Sequence, residues 1–136
     1  MIFPEKTRND IAGMARRYGI SLVVLFGSVA AGTARPDSDI DIGVLFADGN
    51  VDLRRTLEVQ REISHLCGDR EVDLAVINRA DPFFMKKISE RCEFLYAEPG
   101  KDAAFLLNAF RRYQDHRKYL KMERDFAADY VKRIAS

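Results

Sequence analysis

Residues 25–46 read LFGSVAAGTARPDSDIDIGVLF. An apolar run stops at Gly27-Ser28, ten residues intervene, and the next apolar run returns with Asp39 and Asp41 built into it. The first run, Ser21 to Phe26, is rich in β-branched and apolar residues and predicts a short strand buried on both faces. Asp39 to Phe46 alternates instead. Ile40, Ile42 and Val44 fall on one face, and Asp39 and Asp41 share the other.

Further elements follow on either side. Pro4 suits a first helical turn, and Ile11, Met14, Ala15 and Tyr18 recur at helical spacing until Gly19 closes the segment. After the aspartate strand, Asn50 or Asp52 can cap a helix to Leu66, with Leu53, Leu57, Ile63 and Leu66 as its expected apolar stripe and Gly68 as its stop. Glu71 to Ile77 reads as a strand, with Val72, Leu74 and Val76 on one face and Asp73 on the other. Asp81-Pro82 opens a helix to about Arg91, and Glu93 to Tyr96 suits an edge strand. From Lys101 to about Ile134 no glycine or proline interrupts, which allows one long helix or two with an unmarked break. The order predicts an α+β, or mixed α/β, layered fold: a central mixed sheet flanked by helices.

Composition narrows the function classes. The 136 residues fit one domain and leave no room for a second of ordinary size, so a large substrate has to be held by another molecule. With 47% hydrophobic and 32% charged residues the chain is globular rather than disordered. Lys and Arg number 22 against 21 Asp and Glu, so overall charge argues neither for a nucleic-acid coat nor for a membrane surface. The nine basic and five acidic residues from Lys101 onward give that segment about +4, most simply a solvated helix face. Cys67 and Cys92 form no CxxC and read as buried, reduced thiols. The start MIFPEKTRND lacks a signal-peptide core and no run reaches membrane-span length, so the expectation is a cytoplasmic protein without a membrane partner.

The chemistry lies in the strand carboxylates. Asp39, Asp41 and Asp73 sit among residues that want burial, and no Lys or Arg in either strand neutralises them. Charges in such positions need cations, and several oxygen ligands on one face describe a hard-metal site such as Mg²⁺. Gly27 lets backbone approach a ligand closely, and Ser28 with the following N–H groups can grip a phosphate. A triphosphate held there presents its α-phosphate to metals on Asp39 and Asp41, while Asp73 serves the attacking hydroxyl.

Gly27-Ser28, ten residues, Asp39-Ile40-Asp41 and a later strand aspartate, Asp73, resemble the nucleotidyltransferase superfamily with the DNA polymerase β-like fold. At this length the chain resembles the minimal nucleotidyltransferases, or MNT proteins, and the MntA-type antitoxins of HEPN/MNT toxin–antitoxin systems. The resemblance implies a single minimal nucleotidyltransferase domain over 1–136, with its core at about 20–97 and a C-terminal helical segment at about 101–134. It also implies Mg²⁺-dependent transfer of AMP from ATP to a tyrosine hydroxyl of a HEPN ribonuclease toxin. Position by position, Gly27 and Ser28 bind the nucleotide phosphates, Asp39, Asp41 and Asp73 are catalytic and hold metal, and homo-oligomers or hetero-oligomers with the toxin are open.

One position departs from the family pattern Gly-Ser-x-Ala-Arg-Gly: Ala31 stands where the arginine is usual, with Arg35 four residues on as a substitute. That departure motivates a second reading, a binding module that covers its toxin and hardly turns over. Transfer to a small molecule such as an aminoglycoside is a third, disfavoured because those enzymes resemble longer chains with an added helical domain. His65 and His116 have no partners at ligand spacing and read as structural or exposed. In the C-terminal segment, Leu106, Phe110, Tyr113, Leu120, Ala127 and Ile134 describe a stripe for core or partner packing, in preference to an RNA surface.

Overall fold

The computed structural model describes residues 3–135. In chain order they form α1 (Glu5–Arg17), β1 (Ile20–Phe26), α2 (Gly27–Ala31), β2 (Ile40–Phe46), α3 (Leu53–Leu66), β3 (Val72–Val76), α4 (Pro82–Glu90), β4 (Glu93–Ala97) and α5 (Lys101–Ala135). β1 is buried along its whole length, as its apolar run predicts, because it lies inside a four-stranded sheet of order β3-β2-β1-β4. It runs antiparallel to β2 and β4, whereas β2 and β3 are parallel. A parallel pair needs a crossover, and α3 supplies it.

Alternation along the strands builds two apolar layers. On one face Val23, Leu25, Ile40, Ile42 and Val44 pack against Ile11, Met14 and Ala15 of α1 and Val59 and Ile63 of α3. On the other, Leu22, Val24 and Phe26 pack against Met85 and Ile88 of α4 and Phe105 and Ala109 of α5. The helix starts use short polar caps: the Asp52 carboxylate accepts from the Arg55 N–H at 2.7 Å, and Asp81 from the Phe84 N–H at 2.8 Å with Pro82 in the first turn.

The expected stripe of α3 is corrected in part, and that of α5 keeps only one of its two readings, packing against a partner. On α3 the buried residues are Val59 and Ile63, while Leu53 and Leu57 are 72% and 48% exposed. At about 100° per residue, Leu53 and Leu57 lie on average about 120° around the helix from Val59 and Ile63, so they turn away from the sheet. On α5, one unbroken helix of 35 residues, the buried positions are Phe105 and Ala109. Arg112 anchors the same stretch by donating to the Ala80 carbonyl at 3.2 Å. Leu106, Phe110, Leu120, Ala127 and Ile134 are exposed, so that stripe is not packed within the chain; Tyr113 alone of it is half-buried, edge-on to Phe83. The sheet is too short to cover the far end of a helix roughly 50 Å long.

The two ends of α5 should therefore respond differently. Phe105→Ala removes a buried ring edge-on to Phe94 and is expected to cost about 3 kcal/mol. Deleting residues 118–136 should lower the melting temperature by less than about 2 °C, because residues 118–135 are all exposed. Thermal melts of both variants beside wild type check the contrast.

Candidate active site

The sheet register gathers the site. Antiparallel pairing sets Phe26, the last residue of β1, opposite Asp41, and parallel pairing sets Asp41 beside Asp73. The end of β1 and the starts of β2 and β3 thus meet at one edge of the sheet. Gly27, Asp41 and Asp73 line a recess of about 220 Å³ there, together with Phe26, Phe84 and Lys87. Asp39 precedes β2 by one residue and is exposed. With Asp73 it lines an adjoining recess of about 400 Å³ against Leu57, Gln60 and Arg61 of α3. Asp73 belongs to both recesses. Ser28 follows Gly27 at the start of α2, half-buried and outside the residues that line either recess.

Gly27 is required by space and by conformation. Its φ is +72°, and a Cβ there would stand 2.1 Å from Oδ2 of Asp41. The carboxylate occupies the volume that any other side chain would take. α2 then ends at Gly32, with the Thr33 N–H donating back to the Ser28 carbonyl at 3.0 Å. Beyond it the Arg35 N–H donates to Ser38 Oγ at 2.8 Å, and the Ser38 N–H to the Arg35 carbonyl at 3.0 Å. The Arg70 guanidinium donates to the Ser38 carbonyl at 2.7 Å, and the Ile40 N–H to the Glu71 carbonyl at 3.0 Å. These bonds bracket Asp39 and tie its loop to the segment that leads into β3.

Charge is concentrated here. Burial pushes the Asp41 carboxyl above the usual carboxylate range, the neighbouring Asp73 charge adds to this, Lys87 works against it, and Asp39 raises it further. The strands hold no cation of their own, and Lys87 reaches the recess from α4. Its signal in the sequence was the spacing Phe84, Lys87, Ile88: Ile88 is buried under the sheet, and Phe84 meets Phe26 edge-on with ring centres 5.9 Å apart. Arg35, the proposed substitute for the missing loop arginine, lines a separate recess with Val29, Gly32, Pro36 and Arg70.

The donor set suits a hard divalent cation. It is all oxygen, and the burial and neighbouring negative charge that raise Asp41 are what such a cation would relieve. Among the described residues no three acidic, His or Cys side chains converge on one point, so water and phosphate oxygens have to complete a Mg²⁺ shell, as that ion commonly requires. The histidines stay outside the site. His65 is exposed and paired with Asp69 at 3.2 Å, and His116 lies edge-on to Phe83. Cys67 and Cys92 are free thiols, and burial pushes both upward in pKa. No described helix is long and apolar enough to cross a membrane.

Residues 9–99 match the family described as Polymerase beta, Nucleotidyltransferase. The chain is 31% identical over 112 residues to the protein adenylyltransferase MntA of Shewanella oneidensis, covering 82% of this chain and 76% of that one. A chain from a crystal structure of a toxin–antitoxin with AMP-PNP superposes with a TM-score of 0.70 and 28% identity, over 92% of this chain and 98% of that one. Another, from a tri-AMPylated Shewanella oneidensis HEPN toxin in complex with MNT antitoxin, gives a TM-score of 0.66 and 25% identity over 94% and 98%. The chain belongs to the polymerase β nucleotidyltransferase family, among its minimal, MntA-like members.

Two consequences are measurable. Gly27→Ala forces either the backbone or the Asp41 carboxylate to move and is expected to reduce nucleotidyl transfer at least tenfold, with a stability loss of about 1–2 kcal/mol, read by activity assay and denaturant melt. Because the Asp41 pKa is raised on folding, its ionisation costs stability above the folded pKa and nothing below the ordinary value of 3.8. In magnesium-free buffer Asp41→Asn should therefore melt about 2 °C or more above wild type at pH 7, with the gap closing as the pH approaches that value.

Proposed function

We propose that this chain is an antitoxin that works as a protein adenylyltransferase, moving AMP from ATP with Mg²⁺ onto a tyrosine hydroxyl of a HEPN-domain ribonuclease toxin. Residues 1–136 act as one minimal nucleotidyltransferase domain, in the cytoplasm where ATP is abundant. The observation that carries the reading is the position of Asp41, paired across the sheet with Phe26 beside Gly27 on one side and with Asp73 on the other. A phosphate-binding turn and two carboxylates are what nucleotidyl transfer needs within reach of one phosphorus atom. Relatives named as a protein adenylyltransferase and as the antitoxin bound to a tri-AMPylated HEPN toxin support the substrate and the partner, and the AMP-PNP-containing relative supports ATP.

In this mechanism Gly27 and Ser28 hold the nucleotide phosphates, the absent Cβ of Gly27 leaving the Asp41 carboxylate its place beside the turn. Asp39 and Asp41 would hold the metal ions, with Asp73 sharing the one nearest the acceptor. Mg²⁺, when bound, screens the carboxylates from the phosphates and favours ionisation of the attacking hydroxyl. The tyrosine oxygen forms a bond to the α-phosphorus, the bond from that phosphorus to the oxygen bridging to the β-phosphate breaks, and pyrophosphate leaves. The hydroxyl proton passes to solvent by way of the Asp73 carboxylate. The far half of α5, with Met122 and Phe126 about 70% exposed, offers apolar surface for the toxin.

Incubation with α-labelled ATP, Mg²⁺ and a HEPN-domain toxin tests the reading, with Asp39→Asn/Asp41→Asn in parallel. Label on the toxin with wild type, reduced at least a hundredfold with the double variant, is the expected result. A stable, inhibited complex that never takes up label would mean that the protein neutralises by binding.

A further inference from the structure

Two consecutive lysines on α4 have opposite circumstances. Lys86 is tied down: its ammonium pairs with Glu90 and lies 4.7 Å from the centre of the Tyr113 ring. Lys87 takes part in none of the hydrogen bonds or ion pairs among the described residues. It nevertheless lines the recess that holds Gly27, Asp41 and Asp73, and its charge is felt by Asp41. Among the described residues it is the one cation that lines this recess. Of the other nearby cations, Arg70 donates to the Ser38 carbonyl, Arg35 lines a separate recess, and Arg61 lines the adjoining one with Asp39 and Asp73; position 31 is alanine.

An ammonium close enough to feel a carboxylate, yet not bonded to it, stays available for another anion. A ligand that carries phosphates past Gly27 supplies that anion, and lysine suits phosphate as a flexible point charge that needs no fixed bidentate geometry. We propose that Lys87 grips the β- and γ-phosphates of the nucleoside triphosphate, the part that departs as pyrophosphate, and so makes the site select triphosphates over monophosphates. The inference rests on the nucleotidyltransferase reading above. It gives the chain a phosphate cation on α4 in place of one on the loop after Ser28.

The rival role is a plain counter-ion that keeps the carboxylates from repelling one another. The two differ in what a neutral side chain does: losing a phosphate contact weakens triphosphate binding alone, whereas losing a counter-ion makes the recess more negative and weakens every nucleotide alike.

Calorimetric titration with α,β-methylene-ATP, which cannot be cleaved at the reacting bond, and with AMP, both in MgCl₂, separates them. Lys87→Met is expected to weaken α,β-methylene-ATP about tenfold or more and AMP less than about twofold. Lys87→Arg should restore most of the triphosphate affinity, and Lys86→Met should leave both ligands at wild-type affinity. Because Lys87 is exposed, the variants should melt with wild type. Equal weakening of both ligands by Lys87→Met, or no weakening of either, overturns the assignment while the transferase reading stands. Wild-type protein that binds neither ligand overturns the transferase reading and the inference with it.

Discussion

The contact on which the site depends is the approach of the Asp41 carboxylate to Gly27, so close that a Cβ would stand 2.1 Å from Oδ2. For it to exist, β1 must end at Phe26, the chain must turn through a positive φ at Gly27, and β2 must return antiparallel with Asp41 opposite Phe26. A slip of one residue along β2 would turn Asp41 into the layer packed on α1 and α3 and expose Ile40 and Ile42. The two apolar layers therefore hold the register, and the register holds the carboxylate. Arg70, reaching from the start of β3 to the Ser38 carbonyl, secures the loop between them.

This arrangement spends stability on function. A half-buried carboxylate beside two others raises the proton affinity of Asp41, and the unpaired Lys87 offsets only part of that repulsion. In a domain whose folded state wins by a few kcal/mol, such a cluster persists because the surrounding sheet over-determines its position. The same repulsion draws cations to the site. On the proposed reading, a divalent ion would answer the carboxylates and Lys87 the phosphates.

The long α5 contributes to the fold with its first turns only. Phe105 and Ala109 close the layer over β1 and β4, and Arg112 ties the helix to the turn before α4. Beyond that point its aromatic and aliphatic side chains face outward, Tyr119, Phe126 and Tyr130 among them. On a helix that nothing in the chain covers, these residues add little to folding, and their value lies in what they can meet.

Local pattern was enough for the strands, the capped starts of α3 and α4, and the candidate site residues themselves. Apolar runs, alternation and Asp-Pro act within a few residues, and a Gly-Ser turn set ten residues before Asp-x-Asp is a local arrangement too. What periodicity could not decide was which side of a helix meets the sheet when both sides carry leucine: Ile63 is buried as expected, but Val59 joins it in place of Leu53 and Leu57. Nor could it show that the outer stripe of α5 finds no partner in the chain. Spacing from Phe84 and Ile88 puts Lys87 toward the sheet side of α4, but its place beside Asp41 depends on how α4 packs across the sheet, far from Asp41 in sequence. The sequence by itself determined which residues are candidates for the chemistry; tertiary structure decided which cation lies beside them, because a through-space charge interaction depends on packing between distant segments.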